Sequence, residues 1–163
     1  MDKYQQSHKD KLFKPDRPDA YAEAHRPRGL AQCPRCGAKY HAGQWTWHLD
    51  LPAQSVEAFV CPACRRVDDQ APAGQVRVSG NFLKAHEDEI IRLMRNEEER
   101  AKHDHALERL ITIVRDGEEL LATTTGTHLA NRIGHALEAA YDGQSSYRHS
   151  DSEYYLSVDW HRD

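Results

Sequence analysis

Cys33-Pro34-Arg35-Cys36-Gly37 and Cys61-Pro62-Ala63-Cys64 are two Cys-x-x-Cys knuckles with 24 residues between Cys36 and Cys61, and they hold all four cysteines of the 163-residue chain. Each tight turn places two thiols on one side of the backbone, and two such turns supply the four sulfur ligands of a tetrahedral ion at about 2.3 Å. A redox Cys-x-x-Cys needs only one pair, whereas iron accepts the same four-sulfur geometry as zinc. The expected cofactor is one Zn2+ per chain, bound by Cys33, Cys36, Cys61 and Cys64. A site closed by four thiolates has no position at which to activate water, so its expected role is structural. It lets roughly 35 residues fold around an ion in place of a core.

Between the knuckles, Gln44-Trp45-Thr46-Trp47-His48-Leu49 has the strand period of two, and Val56-Glu57-Ala58-Phe59-Val60 is a second β-prone run beyond the turn at 51–55. Residues 31–69 therefore read as a four-cysteine zinc β-ribbon. Residues 1–30, with Pro15, Pro18 and Pro27 among charged residues, are expected to be a flexible basic tail too poor in apolar anchors to offset its ordering entropy. Asp68-Asp69-Gln70-Ala71-Pro72-Ala73-Gly74 opens a segment, 70–80, that reads as a linker.

Residues 81–163 read as a small α+β domain in the order α-β-β-α-β. Leu83, Ile90, Ile91, Met94 and Ala101 recur near helical spacing from Asn81 to His105, with Glu87-Asp88-Glu89 and Glu97-Glu98-Glu99 on the wet face. Residues 109–115 are rich in β-branched side chains, Asp116-Gly117 signals a hairpin, and 119–125 is the return strand. Thr127 is the expected N-cap of a helix through Tyr141. In the last segment Tyr154, Leu156, Val158 and Trp160 alternate, as one strand or as a hairpin bent at Ser150-Asp151. Both helices are expected on one face of an antiparallel sheet.

The formal charge is -4, from 22 Lys and Arg against 26 Asp and Glu, but it is unevenly spread. Residues 1–30 carry seven basic and five acidic residues (+2), residues 31–66 four and two (+2), and the remainder 11 and 19 (-8). No stretch approaches the roughly 18 to 20 apolar residues of a spanning helix, and Met1 to Asp10 lacks the apolar run of a secretory signal. A cytoplasmic protein with no membrane association is the expectation. No P-loop, nucleophile elbow or His-Glu-x-x-His motif occurs, so no enzyme and no small-molecule substrate are expected. At 123–128, Thr-Thr-Thr-Gly-Thr-His would open a helix either as a simple cap or as a phosphate-holding loop.

The basic front directs attention to nucleic acid. Arg35, Lys39, Arg65 and Arg66 flank the knuckles, and Lys9, Lys11, Lys14, Arg17, Arg26 and Arg28 form a basic arm suited to a phosphate backbone. Trp45 and Trp47 would share a strand face, either as a base-stacking platform or as the ribbon's own core.

Those knuckles, the tryptophan-bearing ribbon and the α+β segment behind it resemble the N-terminal part of the nuclear export adaptor family of the large ribosomal subunit. They also resemble a short bacterial family with the same layout. The ribbon carries the resemblance, over about a quarter of the chain. It implies binding to ribosomal RNA or a ribosomal particle, with Cys33, Cys36, Cys61 and Cys64 as zinc ligands. The adaptors' further domains and export signals have no counterpart here, so export is not carried over. The expected function is thus a non-enzymatic zinc-ribbon protein that binds RNA, ribosomal RNA or the ribosome above all. The alternative is a zinc-stabilised protein-interaction adaptor whose acidic domain docks a basic partner.

Overall fold

A computed structural model describes residues 19–50 and 56–163. Lys9, Lys11, Lys14, Arg17 and the turn at 51–55 lie outside the described residues. The described residues begin with helix α1 (Ala20–Ala24), then strands β1 (Ala31–Gln32), β2 (Lys39–His41), β3 (Gln44–Thr46) and β4 (Glu57–Ala58). Helix α2 (Pro62–Asp69) leads into β5 (Gly74–Ser79), α3 (Asn81–Asp104), β6 (Leu110–Asp116), β7 (Glu119–Thr124), α4 (Thr127–Tyr141), β8 (Gln144–His149) and β9 (Leu156–His161). Among the described residues two sheets result, ordered β3-β2-β1-β4 and β6-β7-β5-β9-β8. The protein is therefore α+β. Among the described residues no helix is long and apolar enough to cross a membrane.

The larger sheet corrects three expectations. Residues 70–80 are not a linker: β5 is the middle strand, antiparallel to β7 and parallel to β9. Gly74 looks like a turn residue but is a close-packing one, since a Cβ there would meet the Thr124 hydroxyl at 2.5 Å and the Ala130 methyl at 2.8 Å. The unit therefore runs β-α-β-β-α-β-β, and the last segment is a hairpin of β8 and β9. The sheet is mixed rather than purely antiparallel, because β9 lies beside β5 in the same direction.

Both helices lie on one face of this sheet, as expected. Val76, Val78, Leu120, Ala122, Leu156, Val158 and Trp160 point from alternate strand positions into a core with Leu83, Ile90 and Met94 of α3 and Leu129, Ile133 and Leu137 of α4. Burial of each large side chain contributes about 1.5 to 3 kcal/mol. The acidic runs of α3 do more than face water. Glu97, only 8% exposed, accepts from Arg132 of α4 at 2.6 Å and pairs with Arg100. Glu87 pairs with Arg115 at 2.6 Å, and Glu98 accepts the Leu110 N–H at 2.5 Å.

The basic tail expected over 1–30 is folded from residue 19 onward. Asp19 caps α1 through the Tyr21 N–H and forms an ion pair of 2.8 Å with Arg66 of α2. Tyr21 lies over the Arg66 guanidinium at 4.2 Å and donates its hydroxyl proton to Asp69 at 2.9 Å. Pro27 is buried. One charged pair and one ring thus hold a segment whose composition alone could not.

Candidate metal centre

The first knuckle is a turn ahead of a hairpin. The Cys33 N–H donates to the Ala38 carbonyl at 2.8 Å, Gly37 N–H donates to the Cys33 carbonyl at 2.9 Å, and β2 then pairs with β1 and β3. Gly37 adopts a φ of 82°, which a side chain would resist. The second knuckle differs from the expected β-ribbon, because it opens helix α2: Cys61 is the N-cap, Pro62 stands at the first helical position, and the Cys61 Sγ accepts from Cys64 N–H at 3.4 Å. A helix N-terminus favours thiolates at both positions. The module is therefore knuckle, hairpin, helix.

The four Sγ atoms all lie within 4.8 Å of one another. A regular tetrahedron with metal–sulfur bonds of about 2.3 Å has edges of about 3.8 Å. Cys33 and Cys64 sulfurs stand 3.8 Å apart and those of Cys36 and Cys61 3.7 Å apart, so the cluster has the size a metal ion requires. Three of the ligands are buried and Cys36 is half-buried. A hydrogen bond from the Cys61 thiol draws Cys36 well below the ordinary thiol range, with burial opposing and the Ala38 N–H and Arg109 assisting. Donating that bond, and burial, push Cys61 up, while burial raises Cys64. Metal uptake at such a centre must displace protons, so it weakens as the solution is acidified.

Two residues beyond the knuckles complete the site. Arg109, just ahead of β6, donates through Nη1 to Cys64 Sγ at 3.1 Å and through Nη2 to Cys36 Sγ at 3.0 Å and Cys61 Sγ at 3.4 Å. Trp47 donates its indole N–H to the Lys102 carbonyl at the end of α3 at 2.6 Å, and its ring lies 5.7 Å from the Arg109 guanidinium carbon. Ala106 and Leu107, from the turn between α3 and β6, pack into the cysteine cluster's own apolar core. The module and the larger sheet thus meet at the sulfurs. Nothing in the spacing of Arg109, an ordinary residue at a strand start, signals this.

The expected RNA contacts divide. Arg66 is buried, spending Nη2 on Asp19 and Nη1 on the Ala71 carbonyl at 2.9 Å. Arg35 pairs with Asp68, and Arg65 donates to the Val60 carbonyl at 3.3 Å with its guanidinium over Phe59. Trp45 and Trp47 both pack on the cysteine core, Trp45 also against Tyr40 at 5.2 Å. Four of these side chains are occupied within the fold, and Arg35 is held in an ion pair at the surface. Arg26 and Arg28 are exposed and Lys39 half-exposed at the start of β2, and none of the three is ion-paired among the described residues.

The helix start at 123–128 is a cap, but not the expected one. Gly126 is the N-cap and has no side chain to offer; Thr127 instead meets the Tyr154 hydroxyl at 3.3 Å. The missing acceptor comes from Glu108, whose carboxylate receives the Leu129 N–H at 3.1 Å and packs so closely on Gly126 that a Cβ there would collide with it. Glu108 is 7% exposed. Burial raises its carboxyl to about 7, against the lowering effect of the backbone N–H bond, with the Asp19 charge adding to the rise. It faces a crevice of about 460 Å³ lined by Tyr40, Trp45 and Tyr154. Such a group was not visible in a single Glu of the sequence.

Comparison of the chain with family models, with curated proteins and with solved structures found no match. Fold and site together define an α+β protein with two sheets and a four-cysteine cluster, able to hold a metal ion, where they join.

Proposed function

We propose that this protein is a non-enzymatic, cytoplasmic zinc-ribbon protein that binds RNA, with the ribosome as its target and zinc as a structural ion. The observation that carries the reading is the set of cations Arg26 and Arg28, exposed just ahead of the metal module, and Lys39, half-exposed within it, which have no acidic partners among the described residues. Cations of this kind contact phosphate and give binding that falls steeply with salt. They belong to the +4 front of the chain, while the -8 remainder would turn away from a polyanion. Four sulfurs accept zinc or iron alike; zinc is the ion proposed here, and metal analysis with an absorption spectrum separates colourless zinc from coloured iron.

Co-sedimentation with ribosomes over a salt series tests the RNA reading. Recovery at low salt that is reduced in an R26A/R28A/K39A variant supports it; absence from the ribosomal fractions even at low salt sinks it. A second reading, a zinc-stabilised adaptor for a basic protein partner, is favoured by the engagement of Arg65, Arg66, Trp45 and Trp47 within the fold and of Arg35 in a surface ion pair with Asp68. Nuclease treatment of captured complexes discriminates, since an RNA-mediated recovery disappears and a protein-mediated one survives.

A further inference from the structure

We propose that Arg109 is a positioning residue of the metal centre, holding three of the four sulfurs from outside the coordination sphere and so setting how tightly the ion is retained. The inference rests on the metal reading above. Its geometry is specific: Nη1 reaches Cys64 at 3.1 Å, and Nη2 reaches Cys36 at 3.0 Å and Cys61 at 3.4 Å. The side chain is itself fixed, because Nε and Nη2 both donate to the Ala106 carbonyl, at 3.2 Å and 3.1 Å. Its backbone N–H donates to the Thr125 hydroxyl at 2.8 Å, and the Trp47 ring lies alongside the guanidinium.

The chemistry follows from charge. A divalent ion with four thiolates carries a formal double negative charge, and a half-buried guanidinium offsets one unit of it in a site partly removed from water. A planar fork reaches several sulfurs at once, which the single ammonium of lysine does not do. Each N–H···S bond stabilises the sulfur lone pairs and fixes where they point, so the ion is held more firmly. Cys36 receives the shortest of these bonds and is the one ligand that is not buried. It lines a crevice of about 480 Å³ with Trp47, Lys102 and Arg109, which makes it the sulfur a competing chelator meets first. Arg109 also belongs to the larger α+β unit, so retention of the ion and docking of the metal module become one event.

The test uses the full chain loaded with Zn2+ or Co2+ and the variants R109M, R109K and W47F. Zinc transfer to a chromogenic chelator should be about 10- to 100-fold faster from R109M than from the parent protein. The sulfur-to-cobalt charge-transfer band should move to lower energy, because sulfur lone pairs no longer stabilised by N–H donors are easier to oxidise. R109K should fall between the two in both measurements. W47F puts a smaller ring in place of the indole and loses the N–H bond to the Lys102 carbonyl, but it removes no N–H···S donor, so its band should stay at the parent position. If R109M does not fold, R109K carries the same comparison. An unchanged band and release rate in the Arg109 variants overturn the inference, as does a W47F band displaced as far as that of R109M, since docking alone would then explain it. A parent protein that binds Co2+ without a four-sulfur spectrum overturns the metal reading together with this one.

Discussion

Replacing Glu108 with glutamine should remove a pH dependence that burial has built into the stability of this fold. The carboxyl is 7% exposed at the N-terminus of α4, and its pKa is raised from an ordinary 4.5 to about 7, chiefly by burial. The helix N-terminus and the Leu129 N–H favour the carboxylate, but the cost of desolvating the charge is larger. Between these two values the folded protein holds a proton that the unfolded chain has lost. Stability from this group is therefore complete below the ordinary carboxyl range, falls as pH rises, and stops changing above about 7. At 1.36 kcal/mol per unit the whole effect is on the order of 3 kcal/mol, with about 2 kcal/mol of it between about pH 5.5 and pH 8. Glutamine keeps an oxygen to accept the Leu129 N–H and cannot ionise. Urea unfolding of both proteins, with zinc in excess, gives the difference in stability at each pH, and titrations common to both cancel. The parent should lose about 2 kcal/mol relative to E108Q over that range. A difference that stays constant to within about 0.5 kcal/mol would refute the burial argument.

Further outcomes are expected elsewhere. Cys36→Ser should release the ion and unfold the metal module, seen as loss of about one zinc per chain and of protection from protease in the N-terminal half. Acidification should release the ion cooperatively, since protons return to Cys61 and Cys64, whose thiols are pushed up; retention of zinc in mild acid by colorimetric assay would contradict this. Asp19→Ala leaves the buried Arg66 without its acid and should cost about 3 kcal/mol in chemical denaturation. Ile133→Ala, in the core between α4 and the larger sheet, should cost about 2 to 5 kcal/mol by the same measurement.

How far the sequence carried the reading differs by element. Helices α3 and α4 and the β6–β7 hairpin were visible because long amphipathic periods and the Asp116-Gly117 turn are local signals. Strand β5 was missed although Val76 and Val78 alternate with Gln75 and Arg77; Pro72 and Gly74 dominated the reading, and only the Thr124 and Ala130 contacts explain that glycine. Helix α2 was missed because Cys61-Pro62-Ala63-Cys64 was read as a ligand motif, while Cys61 as N-cap and Pro62 at the first turn are also a helix start. In α3 the acidic runs looked like a solvated face, and their partners Arg132, Arg115 and the Leu110 N–H lie 12 to 35 residues away.

The sequence alone picked out the four cysteines that cluster, because each Cys-x-x-Cys turn places its own two thiols on one side of the backbone; that the two pairs meet is the work of the fold. It also determined which faces of α3 and α4 are apolar. Only the tertiary structure decided what surrounds the sulfurs and which charges remain available. Arg109 and Glu108 act through neighbours 45 and 21 residues away in sequence, and Arg66 is consumed by Asp19 at a separation of 47. A hydrogen bond or a desolvation cost depends on distance in space, and for groups so far apart along the chain that distance exists only once the fold has formed.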